Sequence, residues 1–325
     1  MRKATPVLVS FALAVIFSVF GAFGPSKAEG GADWPKKNVQ IVIPYNAGGD
    51  TDIYARLIAK YLKEELGQNF VVINMPGGSG VIASKYVMAQ KPDGYTILFN
   101  HTASLVQEVT GIADFSYSDA FENAGTVVSD TTYTLVCRKD SGWKNLEDVI
   151  AYAKANPDKV TYSQSYGNTT HLVSVQMENT MGIKMKKLDV GSAAADRTAA
   201  FMGGQVDLMV ANYLNIRDYI ETGDFIPLGV CAPERVPGID IPTLTEQGYK
   251  VTNRKLYEVK LPKGTDAAIV RKLTESLEKI TRIPEFQAEL AKFFAQPFYR
   301  SPEQTAAEDK VEVEEIRALM GVDKK

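Results

Sequence analysis

Apolar and polar positions follow two rhythms along this chain. Val39 to Ile43 is a short, largely apolar run of strand length. From Asp52 to Leu66 the period changes: Ile53, Tyr54, Leu57, Ile58, Tyr61 and Leu62 recur at helical spacing, and Gly67 marks the stop. The same reading predicts a strand over Phe70 to Ile73, a helix over Val81 to Gln90 and a strand over Tyr95 to Phe99. Pro92-Asp93-Gly94 supplies the turn between the last two. Tyr133 to Cys137 opens a second round. Asn145 is placed to cap a helix reaching Ala155, with Asp148 at its third position and Pro157 just beyond. Further strands are predicted at Val160 to Ser163, Val206 to Ala211 and Ile226 to Cys231. The tail from Asp266 to Met320 reads as helical, with breaks near Pro284 and Pro297.

Strand and helix in alternation predict an α/β fold whose mostly parallel sheets are flanked by helices. Two such blocks followed by a helical tail predict a second lobe inserted into the first, with crossings near Thr134 and Arg254. Lobe 1 is expected over residues 29–134 plus 255–325 and lobe 2 over 135–254. The 325 residues exceed what one core comfortably organises, and 45% hydrophobic content is enough to fill two.

The N-terminus adds a destination. Arg2 and Lys3 precede an almost wholly apolar stretch from Pro6 to Phe23, and Ser26-Lys27-Ala28 puts small residues where a signal peptidase reads. That order predicts a secretory signal over residues 1–28, cleaved after Ala28, and a periplasmic mature protein. An uncleaved anchor is the alternative, since the apolar stretch approaches spanning length. The net charge of −3 becomes −6 once Arg2, Lys3 and Lys27 leave, which argues against nucleic acid as a partner. Cys137 and Cys231 are the only cysteines and each lies in an apolar run. Buried thiols and a disulfide both remain open.

Candidate chemistry gathers at strand ends, where open α/β sheets bind ligands. Tyr45, Asn46, Gly48, Gly49, Asp50, Thr51 and Asp52 follow the first strand and enter a helix. Tight glycine turns there would aim free amides and the positive helix end at an anion. His101, Thr102 and Ser104 follow the third strand. Ser165, Gly167, Asn168 and Thr169 open a helix in the second block, with Asp189, Ser192 and Asn212 nearby in the predicted arrangement. Any one of these could be an ordinary capped loop, but four in two blocks point to a shared cleft. Gly78-Ser79-Gly80-Val81-Ile82-Ala83 fits a loose dinucleotide pattern without the acidic residue that ribose binding requires. No nucleophile elbow, phosphate loop or H-E-x-x-H motif occurs. His101 and His171 are the only histidines, without the companions a zinc site would need. The expectation is therefore binding without catalysis, with no cofactor and no metal.

Val42-Ile43-Pro44-Tyr45-Asn46-Ala47-Gly48-Gly49-Asp50-Thr51-Asp52, with Ala55-Arg56, resembles the opening of the tripartite tricarboxylate transporter receptors, the TctC-like or Bug proteins. The resemblance continues through Asn74-Met75-Pro76-Gly77-Gly78-Ser79-Gly80, Lys91-Pro92-Asp93-Gly94-Tyr95-Thr96 and Tyr152-Ala153-Lys154-Ala155-Asn156-Pro157. It ends in Gly203-Gly204-Gln205-Val206-Asp207 and Ile241-Pro242-Thr243-Leu244-Thr245-Glu246-Gln247-Gly248. It implies a two-lobed, type II-like periplasmic binding fold, monomeric, that closes on an organic acid or acidic amino acid. It also implies delivery to a transporter with one large and one small membrane subunit. In the family, carboxylates are gripped largely by backbone amides and waters; the Gly48-Gly49 and Ser165 to Thr169 loops match those elements. The chain departs from the family at Asn46, at Asp50 and at Leu188-Asp189-Val190-Gly191, where a Pro-Tyr-Lys-Gly turn loses its basic residue and gains an acid. These acids leave room for an ammonium or hydroxyl on the ligand. The rival readings are a sensory receptor presenting ligand to a membrane kinase and a periplasmic enzyme on the same scaffold.

Overall fold

The computed structural model describes Met1 and residues 33–191 and 193–323. The expected signal peptide, its cleavage point after Ala28 and Ser192 lie outside the described residues. The chain begins with β1 (Val39–Ile43), α1 (Asp50–Leu66), β2 (Phe70–Asn74), α2 (Val81–Met88), β3 (Thr96–His101), α3 (Ala103–Val109), α4 (Tyr117–Ala120) and β4 (Phe121–Asp130). It then forms β5 (Tyr133–Arg138), α5 (Leu146–Ala155), β6 (Thr161–Gln164), α6 (Thr169–Met181), β7 (Lys186–Asp189), α7 (Ala194–Met202), β8 (Leu208–Asn212), α8 (Tyr213–Glu221) and β9 (Phe225–Val230). The last elements are β10 (Lys255–Pro262), α9 (Ala267–Thr281), α10 (Pro284–Ala291), β11 (Gln296–Arg300) and α11 (Pro302–Met320).

Two sheets result, one ordered β11-β4-β10-β3-β1-β2 and the other β7-β6-β8-β5-β9. Both are mixed, which corrects the expectation of mostly parallel sheets. β1 lies parallel to β2 and β3, and β6 parallel to β7 and β8. β10 is antiparallel to β3 and β4, β11 to β4, and β5 to β8 and β9. The reason is the chain's route. β4 leads out of the first sheet and β10 leads back in, so these neighbours run oppositely, with Lys255 opposite Asp130.

Local chemistry explains the element boundaries. Gly67 ends α1 in the left-handed region (φ 72°), where a side chain would be strained. Asn145 caps α5 by accepting from the Asp148 amide, and Ser301 with Gln304 forms a capping box at α11. The first sheet is packed by Ile41, Ile43, Tyr54, Ile58, Leu62, Tyr257 and Leu277, the second by Leu135, Tyr162, Val173, Met177, Leu208 and Leu244. Cys137 and Cys231 are both buried and free. Among the described residues, no helix is long and apolar enough to cross a membrane.

Candidate functional site

A cavity of about 440 Å³ opens where strand ends of the two sheets meet. Its walls are built largely from helix beginnings. Gly48, Gly49 and Asp50 bring in the start of α1, which no side chain caps from Gly49. Asn168 and Thr170 bring in the start of α6, with Asn168 Oδ1 accepting from the Thr169 amide at 2.9 Å. Ala193, Ala194 and Ala195 bring in the start of α7, again without a side-chain cap. Asn212 and Asn215 add the start of α8. The positive ends of several helix dipoles thus meet around one space, an arrangement that favours a bound anion. Arg197, buried in the first turns of α7, adds a guanidinium to the wall.

Tyr45, Tyr133, Met202 and Tyr219 add flat or apolar surface, and Asn46, His101 and Thr198 add polar groups. Tyr45 stacks on His101 with ring centroids 5.1 Å apart. His101 Nδ1 accepts from the Ala103 amide at 3.2 Å, which assigns the remaining proton to Nε2. Burial first, and the Lys255 ammonium second, lower its pKa to about 3 despite Asp50, so it is neutral near pH 7. It can offer a hydrogen bond but no charge.

Asp50 presents a carboxylate to this space, with a side chain 22% exposed. Its charge is matched from behind. Lys255 pairs with Oδ2, and the Tyr257 hydroxyl donates to the same oxygen at 2.6 Å. Oδ1 accepts from the Thr51 amide at 2.9 Å. Burial alone would raise the pKa of Asp50, but the Lys255 ammonium outweighs it and, with the hydrogen bond from Tyr257, holds the group well below the usual carboxylate range.

Comparison with known proteins agrees with this geometry. The tripartite tricarboxylate transporter family receptor profile matches residues 54–320. The chain belongs to that receptor family. A UPF0065 protein in the gbd 5' region of Cupriavidus necator is 31% identical over 277 residues, covering 84% of this chain and 83% of that protein. The solved periplasmic binding protein BugD is 29% identical with a TM-score of 0.80, covering 90% of this chain and all (100%) of that one. An R. palustris protein solved with adipate is 26% identical with a TM-score of 0.81, covering 89% and 99%. The two mixed sheets are accordingly those of a two-lobed periplasmic solute-binding protein.

In this receptor, Tyr45, Asn46, Gly48, Gly49, Asp50, His101, Asn168 and Asn212 line the cavity, all anticipated from strand-end loops. Other anticipated residues lie behind the wall. Thr51 is fully buried in the first turn of α1. Asp52 is occupied by the Gly48 amide, Arg56 and Asn74, so it shapes the loop rather than facing its contents. Thr102 Oγ1 donates to Arg254 O and accepts from the Leu256 amide, tying the end of β3 to the start of β10. Ser104 is buried in α3. The Ser165 amide donates to Thr170, and Thr169 Oγ1 donates to the Tyr133 hydroxyl at 3.5 Å. Gly167 (φ 71°) sits so close to Ile112 that a Cβ would fall 2.1 Å from its Cδ1. Asp189 accepts from the Tyr166 and Gly191 amides and does not line the cavity.

Sequence reasoning missed Tyr133, the Ala193 to Ala195 run, Arg197, Thr198, Ala199, Met202, Asn215 and Tyr219. The start of α7 had one usable signal: an arginine one turn into a helix that begins with small residues directly after a predicted site loop. Among the described residues, no group of three or more His, Cys, Asp or Glu could hold a metal.

Proposed function

We propose that this receptor captures a small organic carboxylate in the periplasm and delivers it to a transporter with one large and one small membrane subunit. The observation that carries the reading is the meeting of the α1, α6 and α7 starts with Arg197 in one cavity. Helix ends and a guanidinium together favour carboxylate oxygens. Residues 29–134 plus 255–325 and residues 135–254 act as the two lobes, with export following cleavage after Ala28. Contacts from both lobes favour the closed state, and its surface is what the membrane partner reads. The relative solved with adipate supports this ligand class. A ligand ammonium at Asp50 is disfavoured, because Lys255 already occupies that position. Asp189 is outside the cavity, so it offers no alternative.

A thermal-shift screen of ligand-stripped protein against organic acids and amino acids tests the reading, since a ligand that binds only the folded state raises the melting temperature. Dicarboxylates or tricarboxylates should give the largest shifts. Arg197→Ala should then weaken the best acid by about 10–100-fold in calorimetry, the scale of one charged hydrogen-bonding contact. No shift with any carboxylate would refute the proposal.

A further inference from the structure

Lys255 does not line the cavity, yet it touches three groups that do. Its side chain is 1% exposed; its ammonium pairs with Asp50, donates to Asn212 Oδ1 at 2.8 Å and lies 4.2 Å from the Tyr133 ring centroid. Asp130, also buried, stands 3.9 Å away and accepts from Tyr54 and Asn212. Asp50 opens the helix that follows β1 of the first sheet and Asn212 ends β8 of the second, so one hidden cation serves both walls. Without it, the Asp50 carboxylate would meet an incoming carboxylate with no cation beside it, and like charges repel more strongly in a partly desolvated space than in water.

Resting on the carboxylate reading above, we infer that Lys255 sets the charge of the ligand the cavity accepts, by cancelling Asp50 from behind the wall. It is a positioning and selectivity residue rather than a contact residue. The arrangement makes the pair a charge selector. Removing the lysine should turn a dicarboxylate site into one that prefers an ammonium at the same end, and removing both partners should restore the original preference.

Matched probes test this by calorimetry on the purified protein: succinate, glutarate and adipate against γ-aminobutyrate, δ-aminovalerate and ε-aminocaproate, each pair equal in backbone length. In the wild type a dicarboxylate should outbind its amino counterpart. Lys255→Met should weaken that dicarboxylate by roughly tenfold or more while the amino counterpart holds or gains. Asp50→Asn with Lys255→Met should recover the dicarboxylate preference. A purely structural lysine would instead lower both ligands equally, with no recovery in the double variant, and that result overturns the inference while leaving the receptor reading intact. If Lys255→Met does not fold, Asp50→Asn alone decides, because it must tilt the ratio further toward the dicarboxylate; an unchanged ratio overturns the inference. Failure of the wild type to bind any of the three dicarboxylates, or any other carboxylate in the thermal-shift screen, removes the receptor reading itself and the selector with it.

Discussion

Strand β10 buries a lysine on each of its faces, and the two have different surroundings. Lys255 and Tyr257 share one face and meet Asp50 at the start of α1. Glu258 and Lys260 share the other and meet Asp309 of α11, with Lys260 also donating to Asn123 at 2.7 Å. Alternation of side chains across a strand, locally shifted by bulges beside Tyr257 and Val259, separates the two clusters. Neither Glu258, Lys260, Asp309 nor Asn123 lines the ligand cavity. The same buried ion-pair chemistry therefore anchors a helix on one face and sets the charge beside a ligand on the other. Proximity to the cavity, not burial, decides which role a charge has.

The largest effect that separates the two clusters is expected at Lys260. Lys260→Met leaves Asp309 and Glu258 without their buried cation and should cost about 3–5 kcal/mol in denaturant unfolding, while the affinity for the best acid stays within about twofold. A large change in ligand preference with little loss of stability would break the comparison.

A pH series sharpens it at a smaller scale. Burial first and Asp309 second, working against Lys260, raise the Glu258 pKa from 4.5 to about 8. Folded Glu258 thus keeps a proton that the unfolded chain has released, so its contribution to stability falls as pH rises from about 5 to about 8. Glu312, raised to about 7 mainly by burial, acts in the same direction. His101 and His171, both lowered mainly by burial, act oppositely, but only below about pH 6.5. From about pH 6.5 to 8, then, the melting temperature should decline, and Glu258→Gln should flatten the decline. An equal slope in the variant would remove Glu258 from the account. The smallest effect belongs to a site remote from both clusters. Asn145→Ala removes the α5 cap and should cost about 1 kcal/mol in thermal unfolding without altering ligand affinity.

Hydrophobic period revealed β1, α1, β2, β3, β5 and α5 because each satisfies its pattern locally. It hid β10, since Lys255, Glu258 and Lys260 break the apolar run of a strand that is buried throughout. β4 and β11 escaped for a related reason: their partners lie far away in the chain, and pairing at long range leaves little trace in local spacing. Without β10 the sheets read as parallel, and the return from the second lobe had no visible strand to land on.

The candidate site divides in the same way. Gly48, Gly49, Asn168 and Asn212 were legible because a strand end that turns into a helix requires glycine or a capping side chain, and that requirement is local. Arg197 and Tyr219 were not, because only packing of the second lobe brings α7 and α8 to the cavity. The chain alone thus determined the family, the α/β class and the helix-start loops, through short-range backbone chemistry repeated in a recognisable order. Only the tertiary structure decided what Asp50 is. Its partner lies 205 residues away, and a charge acquires its meaning from whatever the fold places against it.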